Sequence, residues 1–277
     1  MSADYTTVGH VTVDVLADGS RRPGGTALYS ALQAARLGLR AEILTRGVHE
    51  EIESLLEPYR HELTLRIEPA DQTTTLLTLG EGPARRQRVL GWAGPMQAPT
   101  ALGSAIVHLA PVAAELPFAA LSSYGFIGLT PQGLVRRWSG PDAEIIAAGP
   151  APEAAIELAG SCHAMVLSEA EREGCEPLIE AAAGRGAVVA ITAGEAPTTL
   201  LDGRSAPRRV AVDALARPVE DIGAGDVYAS AFFICLHEAR TPAQAAAFAS
   251  AAAAERMLGS GVEAIAPRAA IEARLAR

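Results

Sequence analysis

Three residues with little or no side chain, Gly223, Ala224 and Gly225, run straight into a carboxylate, Asp226, and then into the apolar stretch VYASAFF. Glycine lets a backbone approach a ligand closely, and a helix starting near Asp226 presents unpaired N–H groups and the positive end of its dipole there. Such a turn is a cradle for an anion. A carboxylate beside it can take a proton from an attacking hydroxyl while the amides offset charge growing on a phosphoryl group. The same tetrad also fits a plain helix N-cap, a position where Asp is worth about 1 kcal/mol.

Other polar residues stand where elements would present them. Asp14 ends the run GHVTVD, and its two oxygens suit a grip on adjacent hydroxyls; it reads equally as a solvated carboxylate at a strand end. Gly24 and Gly25 follow it closely, at the mouth of an expected helix. Thr192 and Gly194 lie at the end of a hydrophobic strand, where open parallel sheets bind ligands. Glu171, within SEAERE, reads by itself as an exposed helix charge. The histidines, His10, His108 and His163 among them, are scattered without metal-ligand spacing, and His10 is a candidate hydroxyl contact. No Ser-His-Asp or Cys-His arrangement can be assembled, and no Gly-x-Gly-x-x-Gly follows a strand, which argues against a nicotinamide cofactor.

The elements that must position these groups alternate along the chain. Residues 5–16, 40–45, 105–110, 143–149, 163–168 and 187–192 read as buried strands; 25–38, 111–121, 152–160, 176–184 and 242–258 read as helices. That rhythm predicts a parallel sheet with helices on both faces. TTTLLTLG (73–80) and RRQRVLGW (85–92) flank EGPA and predict a hairpin, either a lid over a site or an edge hairpin extending the sheet. The 277 residues are 49% hydrophobic, enough for a substantial core. A net charge of −9, with every Lys/Arg position an arginine, argues against nucleic acid or an anionic membrane as partner. Cys162, Cys175 and Cys235 stand singly, and Met1 opens a polar segment rather than a signal peptide, so the expected location is cytoplasmic.

GAGDVYASAF resembles the C-terminal signature of the ribokinase-like, or PfkB, carbohydrate kinases, and further landmarks follow in family order. GHVTVD resembles the first strand with its substrate-binding Asp, and RRPGGTALYSALQAARLG the Gly-Gly motif. VLSEAERE resembles the Asn-x-x-Glu element, AITAGEAP the nucleotide loop, and AAFASAAAAERMLGSGVEAIAP the adenine-flanking terminal segment. The resemblance implies one kinase domain over 1–277, a three-layer α/β/α sandwich with a mainly parallel central sheet and a small β-lid from about 15–23 and 72–92. It implies Asp226 as catalytic base, with Gly223, Ala224 and Gly225 as anion hole. Asp14, Gly24, Gly25 and Thr26 would meet the substrate, and Glu171 would organise Mg2+. ATP would lie along Thr192, Gly194, Gly223, Gly225, Ser260 and Gly261. The acceptor would be a small sugar or cyclitol; a nucleoside, with Tyr29 and Trp92 around its base, or a non-catalytic sugar- or nucleotide-binding role are the alternatives. In the family, lids often pair between subunits, which implies a homodimer.

LTPQGLVRRW (129–138) is similar to a branch that includes plant inositol kinases. It suggests Gln132 at a polyol edge, although Gln132 also fits a helix start after Thr130-Pro131, and Arg88 swinging over the substrate. Several positions depart from the family pattern. Ser168 replaces Asn, Pro197 replaces the last Gly of the nucleotide loop, and Thr26 stands where an Asn often reads a furanose. The strand at 143–149 lacks the Asp-x-Asn-x-Arg that many relatives carry after it. Glu220, Asp221 and Ile222 replace the usual Asp-Thr-Thr, which puts the family's monovalent-cation site in doubt.

Overall fold

The computed structural model describes residues 2–80, 85–97, 102–117, 125–147, 151–203, 205–212, 215 and 217–277. Strands are numbered in chain order. A nine-stranded sheet runs Arg208–Val210 (β16), Ala196–Leu201 (β15), Val188–Ala193 (β14), Ala164–Ser168 (β13), Phe126–Leu129 (β9), Ile106–Leu109 (β8), Tyr5–Val8 (β1), Ala41–Gly47 (β4) and Leu63–Pro69 (β5). It is parallel except at the edge formed by β14, β15 and β16. A second sheet of five strands runs Ala143–Glu144 (β11), Arg86–Gly91 (β7), Thr75–Leu79 (β6), Thr12–Val15 (β2) and Arg21–Gly24 (β3). Arg136–Arg137 (β10) pairs with Ile146–Ala147 (β12).

The helices are Thr26–Arg36 (α1), His49–Leu56 (α2), Gln132–Val135 (α3), Glu153–Ala159 (α4), Arg172–Gly184 (α5), Ala224–His237 (α6), Pro242–Arg256 (α7) and Arg268–Leu275 (α8). Side chains of α1, α2, α6, α7 and α8 fill one core against the large sheet; those of α4 and α5 fill another against its opposite face. The result is the expected three-layer α/β/α sandwich with a mostly parallel central sheet. α6 is buried continuously from Val227 to Cys235, which is why its sequence is apolar all round rather than striped. α7 can lie close against it because its facing residues are mostly alanine, and it starts on a capping box in which Gln244 N donates to Thr241 Oγ1 at 3.3 Å. No helix among the described residues is long and apolar enough to cross a membrane.

Three expected elements are corrected. Residues 5–16 form two strands in different sheets, β1 and β2. At the break, a Cβ on Gly9 would sit 2.2 Å from Ala110 O, so only glycine lets the chain pass there. Beyond it Val11 N leaves the ladder for Thr45 Oγ1 at 2.8 Å. The helix expected over 111–121 is absent from the described part, 111–117: Pro111 and Pro117 bracket it, Ala114 has φ 55, and the Glu115 carboxylate takes the amides of Val112 and Ala113. Residues 118–121 lie outside the described residues. The run 143–149 is not a strand of the large sheet, where β9 stands instead. Asp142, at φ 58, turns the chain so that β11 pairs with β7, and Ile146 is 61% exposed. Residues 148–149, like the hairpin turn 81–84, lie outside the described residues.

Candidate active site

The carboxyl ends of the central strands and the inner face of the five-stranded sheet enclose a cleft, and α6 points its first turn into it. Gly223 caps that helix at φ 79, and a Cβ there would lie 2.3 Å from the Tyr29 ring, so both the left-handed backbone and the crowding demand glycine. Ala224 N donates to Asp221 O at 3.1 Å, so that amide is already used within the turn. Helix geometry leaves the amides of Gly225 and Asp226, in the first turn, without intrahelical acceptors. Of the amides expected to form an anion hole, that of Ala224 is thus occupied, while those of its two successors are not taken up by the helix.

Asp226 is partly exposed, and it lines two adjoining cavities. The first, about 130 Å3, is walled by Asp14, Gly25, Thr26, Tyr29, Gln132 and Arg136 among others. The second, about 230 Å3, includes Ser168, Glu171, Thr192, Gly225 and Gln132. Removal from water pushes the Asp226 carboxyl up to about 7; the Thr26 hydroxyl and Arg136 oppose that shift, while Glu171 and Asp14 add to it. The carboxyl is thereby poised near neutrality.

Asp14 is buried at the floor of the first cavity. Burial raises its pKa, offset by the Thr12 hydroxyl, which donates to Oδ1 at 2.7 Å, and by Arg22 and Arg136. Gly24, opposite Thr12 and so diagonal to Asp14 across the β2–β3 pair, would place a Cβ 2.2 Å from Asp14 Oδ2; the first glycine of the pair therefore makes room for the carboxylate. Gly25, at φ 93, turns the chain into α1, and a Cβ there would meet His10 O at 2.5 Å. Gln132 Nε2 donates to Thr26 Oγ1 at 2.6 Å, and Arg136 Nη2 donates to Gln132 Oε1 at 2.9 Å. Both residues come from α3 and the residue after it, and this fixed pair forms one wall.

Glu171 closes a capping box, its Oε2 accepting from Ser168 N at 2.8 Å and Ser168 Oγ at 2.7 Å. It lines the second cavity together with Ser168, whose short side chain donates to that carboxylate and so steers it. Thr192 donates to Leu167 O at 3.3 Å and lines both this cavity and a third, of about 680 Å3. Gly194 lines the third, whose walls are largely apolar, with Val212, Leu215, Pro218, Ala253, Ala254 and Met257. A fourth cavity, about 670 Å3, opens past Gln132 and Arg136 toward α5.

No protein-family model and no curated protein sequence matches the chain. Solved structures do. A pyrophosphate-dependent kinase in the ribokinase family, complexed with a pyrophosphate analog and myo-inositol, has TM-score 0.79 at 19% identity, covering 97% of this chain and 99% of that one. The chain has the ribokinase-like fold. Arabidopsis thaliana ribokinase, complexed with ribose and ATP, gives TM-score 0.75 at 17% identity over 99% of both chains. A double mutant of Vibrio cholerae fructokinase, with fructose, ADP and potassium ion bound, gives 0.73 at 18% over 99% of both.

Within this ribokinase-like frame some expected contacts fall elsewhere. Arg88 lies on the outer face of β7, with Nη2 on Asp142 Oδ2 at 2.7 Å, because strand alternation turns Gln87 and Val89 inward instead. The cation of this arm that lines the first cavity is Arg85, paired with Asp221. Ser260 and Gly261 line neither the second nor the third cavity; Gly261 N donates to Glu220 Oε2 at 2.9 Å. His10 is fully buried, its Nδ1 bonded to Thr74 Oγ1 at 2.7 Å. Trp92 packs edge-on against Trp138, 5.6 Å between centroids, and stays out of the first cavity, whereas Tyr29 is in it. Sequence reasoning missed Arg136, Arg85, Arg22 and Gln87. Arg136 was legible in principle, four residues after Gln132 in QGLVR; the other three are placed by strand register, which no motif encodes.

Proposed function

We propose that the chain is a phosphotransferase that passes the terminal phosphoryl group of ATP to a hydroxyl of a small sugar or cyclitol. The observation that carries the reading is the shared position of Asp226, which lines both the small polar cavity and the cavity of Glu171 and Gly225. Asp14 and the Gln132–Arg136 pair orient the hydroxyls in the first cavity. Asp226 accepts the proton of the attacking hydroxyl as its oxygen bonds to phosphorus, the bridging P–O bond breaks, and the nucleoside diphosphate leaves. The amides of Gly225 and Asp226 face the phosphoryl oxygens at the positive end of α6. Mg2+ is held by one or two carboxylates with donor phosphates and water, which suits Glu171, and it would neutralise phosphate charge. The five-stranded sheet, spanning the segments 15–23 and 72–92, acts as the lid that excludes water.

The roomy apolar third cavity favours a donor carrying a nucleobase over bare pyrophosphate, which has no apolar surface to bury. The small first cavity, with Tyr29 as its aromatic wall, favours a cyclitol or sugar over a nucleoside. A matrix of ATP and pyrophosphate against myo-inositol, ribose, fructose, cytidine and adenosine, read by phosphorylated product, tests both choices. Transfer from ATP to a cyclitol or hexose is the expected outcome. Tight ATP binding by calorimetry with no product from any pair would replace the kinase with a non-catalytic binding protein.

A further inference from the structure

Arg256, the last residue of α7, is fully buried. Its Nη2 donates to Ile222 O at 2.6 Å and its Nη1 to Gly259 O at 2.9 Å, and Nη2 lies 3.5 Å from Glu220 Oε2. The guanidinium also stands over the Tyr29 ring, 5.4 Å from its centroid. Two main-chain carbonyls and a carboxylate, drawn from the segments before α6 and after α7, thus converge on one buried positive group. Without it, the two carbonyls would lose these donors and would face a carboxylate left with Arg22 as its ion pair.

Such an oxygen set is also what a bound alkali cation requires, and the resemblance implied a monovalent-cation site beside this turn. The residues present do not fit one: the guanidinium already fills the space between the oxygens. Its attachments bear directly on the reacting groups. Ile222 immediately precedes Gly223, and Tyr29, pinned between Arg256 and Gly223, blocks the other side of the turn. Glu220 is tied in turn to Gly261 N and to Arg22 of β3.

We infer that Arg256 is a built-in cation, a positioning residue that holds the Gly223 turn and makes the protein independent of added monovalent ions. The kinetic part of this inference rests on the proposed kinase activity; the structural part does not. Replacing an external ion with a tethered one removes the dependence of the turn on ion concentration, because the side chain is always present.

The test compares wild type in potassium and in tetramethylammonium chloride at constant ionic strength, reading both initial rates and melting temperature. The expected wild-type result is a rate change under about twofold and no difference in melting temperature. Arg256→Ala is expected to lose at least about tenfold in kcat with acceptor KM within a few-fold, and low-millimolar guanidinium is expected to raise both its rate and its melting temperature. Arg256→Lys, which keeps a charge on a shorter side chain but loses the planar fork that serves both carbonyls, is the fallback if the alanine variant does not fold, and a lowered kcat at unchanged KM is expected. Potassium activation of wild type beyond about tenfold, wild-type kcat in either variant, or a loss in Arg256→Ala that guanidinium leaves unrelieved would each overturn the inference. Should wild type transfer phosphate to no acceptor, the kinase reading fails, and the melting comparison still decides the role of Arg256.

Discussion

Asp226 has to be ionised to take a proton, yet its surroundings hold its pKa up to about 7. Activity, as kcat/KM, is therefore expected to fall about tenfold per pH unit below that value and to level off above it, which an initial-rate profile checks. Asp226→Asn is expected to lose about 10²–10⁴-fold in transfer while calorimetry finds ATP affinity within a few-fold. The same shift has a stability consequence of definite sign. The ordinary value for an exposed Asp is 3.8, so between 3.8 and about 7 the folded state keeps a proton that the unfolded chain has released. Stability contributed by this site is thus lost as pH rises through that window, and the penalty is complete above it. Asp226→Asn removes the penalty: thermal melts are expected to find the variant more stable than wild type at about pH 8 and equal to it below about pH 4. An advantage that persisted in acid would place its origin elsewhere.

The Gly24–Gly25 pair shows how an element can exist for one side chain. β3 lies against β2 with Gly24 opposite Thr12, and the missing Cβ is the space that Asp14 Oδ2 fills. Gly24→Ala is expected to push that carboxylate aside and raise acceptor KM by on the order of tenfold or more, since misplacing a positioning group by about 1 Å can cost far more than the contact itself. Donor affinity, measured by calorimetry, is expected to stay unchanged because the Glu171 and Gly194 cavities lie on another side of Asp226. Elements of this kind were legible in the sequence when local chemistry dictated them. The glycine turn before α6, the helix after Gly25, and β13 and β14 each carry their own signal in glycine placement or unbroken apolar runs. What the sequence hid depended on contacts far along the chain. The bend at Gly9 answers to Ala110, the irregular stretch at 111–117 to one carboxylate, and the outward turn of Arg88 to the pairing of Leu77 with Arg88 across β6 and β7. Arg256, at the end of an alanine-rich helix, carries no signal of its own because nothing nearby in sequence announces Glu220 or Ile222.

Across the whole molecule, the five-stranded sheet is tied to the segment just ahead of the Gly223 turn. Arg22 of β3 pairs with Glu220, and Arg85, at the start of the β7 arm, pairs with Asp221. Two consecutive acids, one and two residues before Ile222, are thereby clasped by the five-stranded sheet, and they are two of the three positions that depart from the motif the resemblance led one to expect. The arrangement couples the position of that sheet to the Gly223 turn, because the carbonyl of Ile222 and the carboxylate of Glu220 share Arg256. A latch of this sort matters to a phosphotransferase, since water competes with the acceptor whenever the cleft opens. Asp221→Asn leaves Asp14 and Asp226 in place and removes one ionic clasp. Acceptor KM is expected to rise several-fold and the ratio of ADP released to acceptor phosphorylated to climb, because an unlatched sheet admits water to the activated phosphoryl group. Partly exposed ion pairs weaken with salt, so the wild-type ratio is expected to drift the same way as ionic strength rises, and the variant to respond less. A ratio that stayed at unity in both proteins across the salt series would show that the sheet is held by its apolar contacts alone and that the paired acids serve only the turn.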